Sequence, residues 1–349
     1  MDPRIGSSGR VVVIGSVNVD LITRLLRLPR PGETVIGGEF REFPGGKGAN
    51  QAIAAARLGA ETWLIGLTGS DERGERARRV LEEAGVRLDA LGRHPSEPTG
   101  VAQILVDASG ANLIAVASGA NAALAAADVE RLLPPLLGIE VPLLETELPL
   151  LEQSSSAAPR LQTVVLAGFE VPDGAVLAAA RLCRAADAVF ILNPAPARPI
   201  SPELLRLCSV VTPNEGELAI LGSGTHADET VDHLLTGGAQ AVIVTRGGDG
   251  ADLHRRGLPT HQQPAFDVQP VDSTGAGDAF NGALAWALSA PAIPSAQSDA
   301  RSTEKLGALE QAMELAAAAG AYSTQSVGAQ TSPPDRATLE RFMREAKTR

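Results

Sequence analysis

Short apolar runs alternate with helix-forming stretches along most of this 349-residue chain, and that alternation narrows the fold more than any other feature. Val11–Ile14 ends at Gly15, and Trp63–Leu67, Thr163–Ala167, Val189–Leu192, Val210–Thr212 and Ala241–Thr245 are runs of the same kind. A short run without polar alternation suits a strand covered on both faces. Between the runs lie Ala49–Leu58, stopped by Gly59, the charged amphipathic Asp71–Ala84, stopped by Gly85, and Ala175–Ala186. Strand, helix, strand in this order predicts a parallel sheet with helices on both faces, an α/β fold.

Two stretches leave the pattern. Leu21–Phe43 carries Pro29, Pro31, Gly32, Gly37 and Gly38 among β-formers, and Val101–Asp107 and Ala111–Ala117 flank Ala108-Ser109-Gly110 as a hairpin would. Together they predict a small antiparallel sheet set apart from the main one, a lid formed by about 21–44 and 99–118. Ser289–Thr303 reads as a polar loop and Thr303–Ala321 as a helix. Leu132–Arg160, with prolines at 134, 135, 142, 149 and 159, is read as carrying an insertion over 135–160. The whole chain, 1–349, is read as one domain.

Composition removes several classes of function. Thirty basic against 41 acidic residues give a net charge of −11, the wrong sign for a nucleic-acid or anionic-membrane surface. Seven Phe, two Trp and one Tyr are too few for a base-stacking single-strand binder. Cys183 and Cys208 alone make neither a disulfide framework nor a zinc site, and the five histidines show no metal-ligand spacing. No apolar run reaches the ~18 residues of a membrane span, and Met1–Arg10 has no apolar signal core. The expectation is a soluble, cytoplasmic protein. The acidic balance also speaks at first against a phosphate-rich ligand.

The motifs answer that last point. Ser273-Thr-Gly-Ala-Gly-Asp-Ala-Phe-Asn-Gly-Ala283 leads into an Ala-rich helix over Ala279–Leu288. Gly275, Ala276 and Gly277 are small enough for backbone N–H groups to converge on an anion at a helix start, where the dipole adds positive potential. An acid in that turn, Asp278, can take a proton from a nucleophile as charge builds on a transferring phosphoryl group. Alone, the stretch reads equally well as a tight loop with Asp278 as a cap, and it lacks the Gly-Lys-Ser/Thr of a Walker loop. A second motif, Gly45-Gly-Lys-Gly-Ala-Asn-Gln-Ala52, sets Lys47 and Asn50 among glycines that allow close approach of a ligand. Upstream, Gly15-Ser-Val-Asn-Val-Asp20 leaves the carboxyl end of the first strand, where open α/β sheets bind ligands. Asn18 and Asp20, two apart in an extended segment, face one way and offer donors and acceptors for vicinal hydroxyls. An Asx turn explains them equally well when they are taken alone.

These pieces together resemble the ribokinase family, within the phosphofructokinase-B-type carbohydrate kinases, over nearly the whole chain. The resemblance rests on GSVNVD at 15–20, PGET at 31–34, GGKGANQA at 45–52, SGANAAL at 118–124, NPAPA at 193–197, TPNEGE at 212–217, VTRGGDG at 244–250 and STGAGDAFNGA at 273–283. It implies a ribokinase-like three-layer sandwich with a small β-sheet lid that pairs two subunits as a homodimer. It also implies phosphorylation of D-ribose at its 5-hydroxyl by ATP with Mg²⁺, activated by K⁺. By match to the family's motifs, Asn18, Asp20, Gly46, Lys47 and Asn50 bind the sugar and Asp278 is the base, with Gly275, Ala276 and Gly277 as the anion hole. Asn214 and Glu217 match the element that supports the Mg²⁺–phosphate region, and Thr245, Gly247, Gly248 and Gly250 match the nucleotide loop. Asp272 and Thr274, with Gly328 and Ser332, match the potassium site.

One departure leaves two candidates. The family's sugar-binding Glu lies in a Glu-x-Pro context, and both Glu147-Leu-Pro149 and Glu170-Val-Pro172 provide one. Glu170 is preferred, because strand Thr163–Ala167 and helix Ala175–Ala186 surround it as that fold requires. The rival readings are a related sugar or nucleoside kinase and a sugar-binding regulator that has lost catalysis. A dehydrogenase is disfavoured, since Gly15-Ser-Val-Asn lacks the full dinucleotide fingerprint.

Overall fold

The strands run in chain order β1 (Arg10–Ile14), β2 (Asn18–Arg24), β3 (Glu39–Gly45), β4 (Glu61–Gly69), β5 (Leu91–His94), β6 (Gly100–Val106), β7 (Asn112–Ala117), β8 (Thr163–Gly168), β9 (Val189–Asn193), β10 (Val210–Val211), β11 (Ala241–Thr245), β12 (Ala251–Arg255) and β13 (His261–Gln263). The helices are α1 (Lys47–Arg57), α2 (Glu72–Glu83), α3 (Ala126–Leu137), α4 (Asp173–Ala185), α5 (Pro202–Leu207), α6 (Glu215–Leu221), α7 (Ala227–Gly237), α8 (Ala276–Ser289), α9 (Arg301–Ser323) and α10 (Arg336–Ala346). This computed structural model describes residues 9–139, 162–290 and 301–346.

A nine-stranded sheet in the order β13-β12-β11-β10-β9-β8-β1-β4-β5 forms the body. It is parallel from β5 to β11, and β12 and β13 add an antiparallel edge. β1 shows why its residues make a central strand. Val11 and Val13 point to one face, among Ile53 of α1, Leu284 of α8 and Met313 of α9. Val12 and Ile14 point to the other, among Val129 of α3, Val176 of α4 and Leu234 of α7. All four are wholly buried, and each large aliphatic side chain so placed contributes about 1.5–3 kcal/mol. The α/β architecture expected from the alternation is the one observed.

A second sheet in the order β3-β2-β6-β7 stands apart as the expected lid. β2 pairs antiparallel with β3 and parallel with β6, and β6 and β7 form the hairpin. β2 begins at Asn18 rather than near residue 21, so Asn18 and Asp20 belong to the lid strand itself, opposite Gly100 and Ala102. The lid is tied to the body at its base. The Asp71 carboxylate caps α2 by accepting from the Gly74 N–H (2.8 Å) and also accepts from the Thr99 N–H (2.8 Å) and hydroxyl (2.6 Å).

Two boundaries differ from expectation. α3 runs on through Pro134 and Pro135 to Leu137 and stops at left-handed Gly138 (φ 69°), so 135–137 are helical. The rest of the expected insertion, from residue 140 on, lies outside the described residues, as does Glu147. α9 starts at Arg301, inside the stretch read as loop.

Two close approaches set the geometry of the site. A Cβ on Gly48 would come within 2.6 Å of the Gly15 backbone, so α1 starts directly against the end of β1. A Cβ on Gly282 of α8 would lie 2.5 Å from the Gln51 carbonyl oxygen and 2.7 Å from Ala54 Cβ, so α8 crosses α1 nearly in backbone contact. Glycine to alanine inside a helix ordinarily stabilises by about 1 kcal/mol. Here overpacking reverses the sign, and Gly282→Ala is expected to destabilise by ~1–3 kcal/mol. A lower thermal midpoint than the wild type checks this, and an unchanged or higher one refutes it.

Candidate active site

Asp278 stands in the first turn of α8 and is buried. Its Oδ2 accepts from Asn50 Nδ2 at 2.8 Å and its Oδ1 from Gln51 Nε2 at 3.0 Å. Gln51 Nε2 also lies 3.2 Å from Asn193 Oδ1 at the end of β9. Burial pushes the Asp278 carboxyl above its usual range, while the Lys47 ammonium and the two amide donors pull it back. In return, Asp278 holds the buried Lys47 ammonium above its ordinary value, against the cost of burial.

Two cavities meet at this carboxylate. The larger, about 610 Å³, lies between lid and body, and the smaller, about 160 Å³, lies over the start of α8. Lys47, Gly275 and Asp278 line both. The larger cavity brings together Asn18, Asp20, Gly46, Lys47, Asn50 and Glu170. Ile104, Ile114 and Val116 of the lid form its apolar side with Phe169 of the body. Burial, then the neighbouring Glu170 carboxylate, push Asp20 up to about 6, and Lys47 opposes them. Glu170 Oε2 accepts from the Lys47 N–H at 3.0 Å and from the Ser16 hydroxyl. Gly46, at φ 91°, takes a conformation open mainly to glycine, and a Cβ there would lie 2.6 Å from Asn18 N.

The smaller cavity is lined by Asn214, Glu217, Thr245 and Gly277. Asn214 and Glu217 cap α6 reciprocally, with Asn214 N donating to Glu217 Oε2 (2.9 Å) and Glu217 N to Asn214 Oδ1 (2.8 Å). Burial raises the Glu217 carboxyl. The expected anion hole divides into different tasks. Gly275 is the left-handed N-cap (φ 80°), where a Cβ would lie 2.5 Å from Ala329 Cβ. The Ala276 N–H closes a turn onto Ser273 O at 3.2 Å. The N–H groups of Gly277 and Asp278 follow in the first turn, where a helix has no carbonyl of its own for them. Of the nucleotide-loop candidates, Thr245 reaches the cavity, whereas Gly247, Gly248 and Gly250 sit in the β11–β12 connection and line neither cavity. Gly250 is confined there, because a Cβ would strike Gln263 O, while Gly247 and Gly248 face open space.

The four remaining candidates form a loop beside the lid. Asp272 Oδ1 accepts from the Thr274 N–H (2.9 Å) and its Oδ2 from the Gly328 N–H (3.1 Å). Burial disfavours its charge, but these bonds outweigh burial and hold the carboxyl below its usual range. Ser332 N donates to Gly328 O at 3.2 Å, and the Ser332 hydroxyl is buried with no hydrogen-bond partner among the described residues.

Four residues of the arrangement were not singled out from the sequence. Asn121 accepts from Val17 N (2.9 Å) and donates to Val17 O (3.1 Å) and Asn18 Oδ1 (2.8 Å), pinning the entry to β2. Ser16, Gln51 and Asn121 all fall inside the motifs, where a polar residue flanked by apolar or small ones is the available signal. Gln330 lies in no motif, and its Nε2 donates to Asn50 Oδ1 at 3.0 Å. In addition, Arg198 stacks 4.5 Å over the Phe169 ring and donates to Val171 O at 3.1 Å, bracing the segment that carries Glu170.

Known proteins share this arrangement of motifs and fold. Residues 8–336 match the sequence profile described as pfkB family carbohydrate kinase. A ribokinase of Bacillus subtilis is 33% identical over 333 residues, covering 95% of this chain and 99% of that protein. A deoxyribokinase of Salmonella typhi is 33% identical over 340 residues, covering 95% of this chain and 97% of that protein. Among solved structures, Arabidopsis thaliana ribokinase complexed with ribose and ATP matches with a TM-score of 0.77 and 29% identity, covering 97% of this chain and 99% of that one.

The electrostatics of the larger cavity can be read directly. Side-chain carbon NMR should find Asp20 titrating near 6 rather than at its ordinary 3.8. Lys47→Met removes the cation that opposes the rise and should move the titration up. Glu170→Gln removes a like charge and should move it down. Opposite movements would refute this account of the cavity.

Proposed function

The chain belongs to the pfkB family of carbohydrate kinases, and we propose that it transfers the terminal phosphoryl group of ATP to O5 of D-ribose with Asp278 as the base. The observation that carries this reading is the place of Asp278 on the shared wall of two cavities. One is lined by Asn18, Asp20, Asn50 and Glu170 and the other by Asn214, Glu217 and Gly277 at the start of α8.

The larger cavity takes the sugar. Asp20, Asn18, Lys47, Asn50 and Glu170 provide donors and acceptors for its hydroxyls. The ionised Asp278 accepts the proton of the 5-hydroxyl, O5 attacks the γ-phosphorus, and the bond to the leaving ADP oxygen breaks. The N–H groups of Gly277 and Asp278, with the dipole of α8, meet the negative charge on the transferring phosphoryl. Lys47 faces both cavities and draws sugar and phosphate together. The lid covers the sugar and excludes water, which would otherwise compete as acceptor.

Glu217 and Asn214 supply oxygen atoms beside the phosphate cavity, a donor set that suits Mg²⁺, which keeps water and substrate phosphates as its other ligands. Bound there, Mg²⁺ neutralises charge on the phosphates. The two segments that carry Asp272, Thr274, Gly328 and Ser332 suit K⁺, because the buried Ser332 hydroxyl has no hydrogen-bond partner among the described residues and would be satisfied by a cation. For the nucleotide, Thr245 is the contact in the cavity, with Gly247, Gly248 and Gly250 beyond it. A second copy of the chain is the partner proposed for the lid. All six residues of edge strand β7 are exposed, Leu113 by 52%, and an unpaired apolar edge favours pairing with another chain. ATP supply and reduced, buried Cys183 and Cys208 fit the cytoplasm.

ADP release across a sugar panel, with and without potassium, tests the activity. D-Ribose is expected to give the highest kcat/KM and 2-deoxy-D-ribose, the competing substrate, a lower one. The reverse order would reassign the sugar. Asp278→Ala should lower turnover ~10²–10⁴-fold with a smaller effect on sugar affinity, and near-normal turnover would remove Asp278 as base. Sedimentation should find a dimer that Leu113→Lys converts to monomer, and a wild-type monomer would refute the pairing.

A further inference from the structure

Gln330 joins the loop of Gly328 and Ser332 to the base, and its hydrogen bonds run in one direction only. Its side chain is buried. Nε2 donates to Gly45 O at 3.2 Å and to Asn50 Oδ1 at 3.0 Å, so both amide protons are used. Turned over, Gln330 would present its oxygen to two acceptors, which fixes its orientation.

The consequence falls on Asn50. An asparagine amide presents an oxygen on one side and a nitrogen on the other, and the surrounding network decides which faces where. With its oxygen held by Gln330, Asn50 presents Nδ2 to Asp278 Oδ2 at 2.8 Å. The reverse orientation sets a carbonyl oxygen against a carboxylate with no proton between them, in a buried site where an unmade hydrogen bond is costly.

We propose that Gln330 is a positioning residue that fixes the Asn50 amide and, through it, the orientation of the Asp278 carboxylate. The inference rests on the reading of Asp278 as the base. The other groups facing Asp278 are the Lys47 ammonium, the carboxylates of Glu170, Asp20 and Glu217, and the Gln51 amide. None of them bonds to Gln330, so among the groups that face Asp278 a substitution at 330 acts directly on Asn50 alone.

The test is kcat and ribose KM as functions of pH for Gln330→Met and Gln330→Glu, with thermal midpoints alongside. Gln330→Met keeps the bulk and removes both donors. Gln330→Glu keeps the shape and reverses the polarity, turning the Asn50 oxygen toward Asp278. In both, kcat near pH 7 should fall about tenfold with KM within about threefold, and the acid limb of kcat should move up about one pH unit, because Asp278 loses a donor to its charged form. An unmoved acid limb in both variants overturns the proposal, whatever happens to the thermal midpoint, since that is what a packing role gives. If Gln330→Met does not fold, Gln330→Leu, which also removes both donors and adds no charge, takes its place. Asp278→Asn separates the two readings. Lost turnover there with an unmoved limb at Gln330 overturns this proposal only, and undiminished turnover overturns both.

Discussion

Burying a carboxylate costs several kcal/mol unless the protein replaces the water it loses, and the body of this structure is arranged around doing so for Asp278. The replacement comes from α1, whose first residues supply the Lys47 ammonium and the Asn50 and Gln51 amides. For those groups to reach the first turn of α8, the two helices must cross almost backbone to backbone. Gly282 on α8 permits this, and Gly15 and Gly48 let α1 begin against the end of β1. The same crossing positions Gln51 against Asn193, so β9 is registered to the site as well.

The lid depends on the body in a comparable way. β2 follows β1 after three residues, and the Asn121 amide holds the Val17 backbone and the Asn18 side chain at that junction. Asp71 and Thr99 hold the other entry. The strand that carries Asn18 and Asp20 is thus fixed at its root while its far end, and the exposed β7, stand away from the body.

The parallel sheet was legible because β1 and its neighbours are apolar on both faces, a pattern few other structures produce. The hairpin of β6 and β7 was legible from its turn residues. The lid boundary at Asn18 was not, because Asn18 and Asp20 look alike as the exit of one strand or the start of the next. Pro134 and Pro135 hid the end of α3, since proline beyond the first turn argues against helix. In the site, the groups that point into the cavities were readable from their motifs, while Gln330 was not. It acts on another side chain from a distant part of the chain, and no local spacing encodes a hydrogen bond between residues 50 and 330. The three small residues before Asp278 look equivalent in sequence, yet only the fold shows one as a cap, one closing a turn and one facing the phosphate cavity.

Charge explains the kind of substrate such a site accepts. The net charge of −11 says little about phosphate, because the smaller cavity is lined by Lys47 and by the start of α8, a helix end whose positive potential formal charges ignore. It is the local balance that matters. The larger cavity sets Asp20, Glu170 and Asp278 around the Lys47 ammonium. Arg198, the other cation lining the cavity among the described residues, is engaged by Asp173 and stacked on Phe169. An anionic sugar entering there would meet three carboxylates against the Lys47 ammonium, with Arg198 already paired with Asp173. A neutral polyol brings hydroxyl donors that the carboxylates can use in place of lost water, and burial, ahead of repulsion by Glu170, is what raises Asp20. The local excess of carboxylates therefore suits an uncharged polyol, while on the far side of Asp278 the start of α8 and the Lys47 ammonium face the smaller cavity.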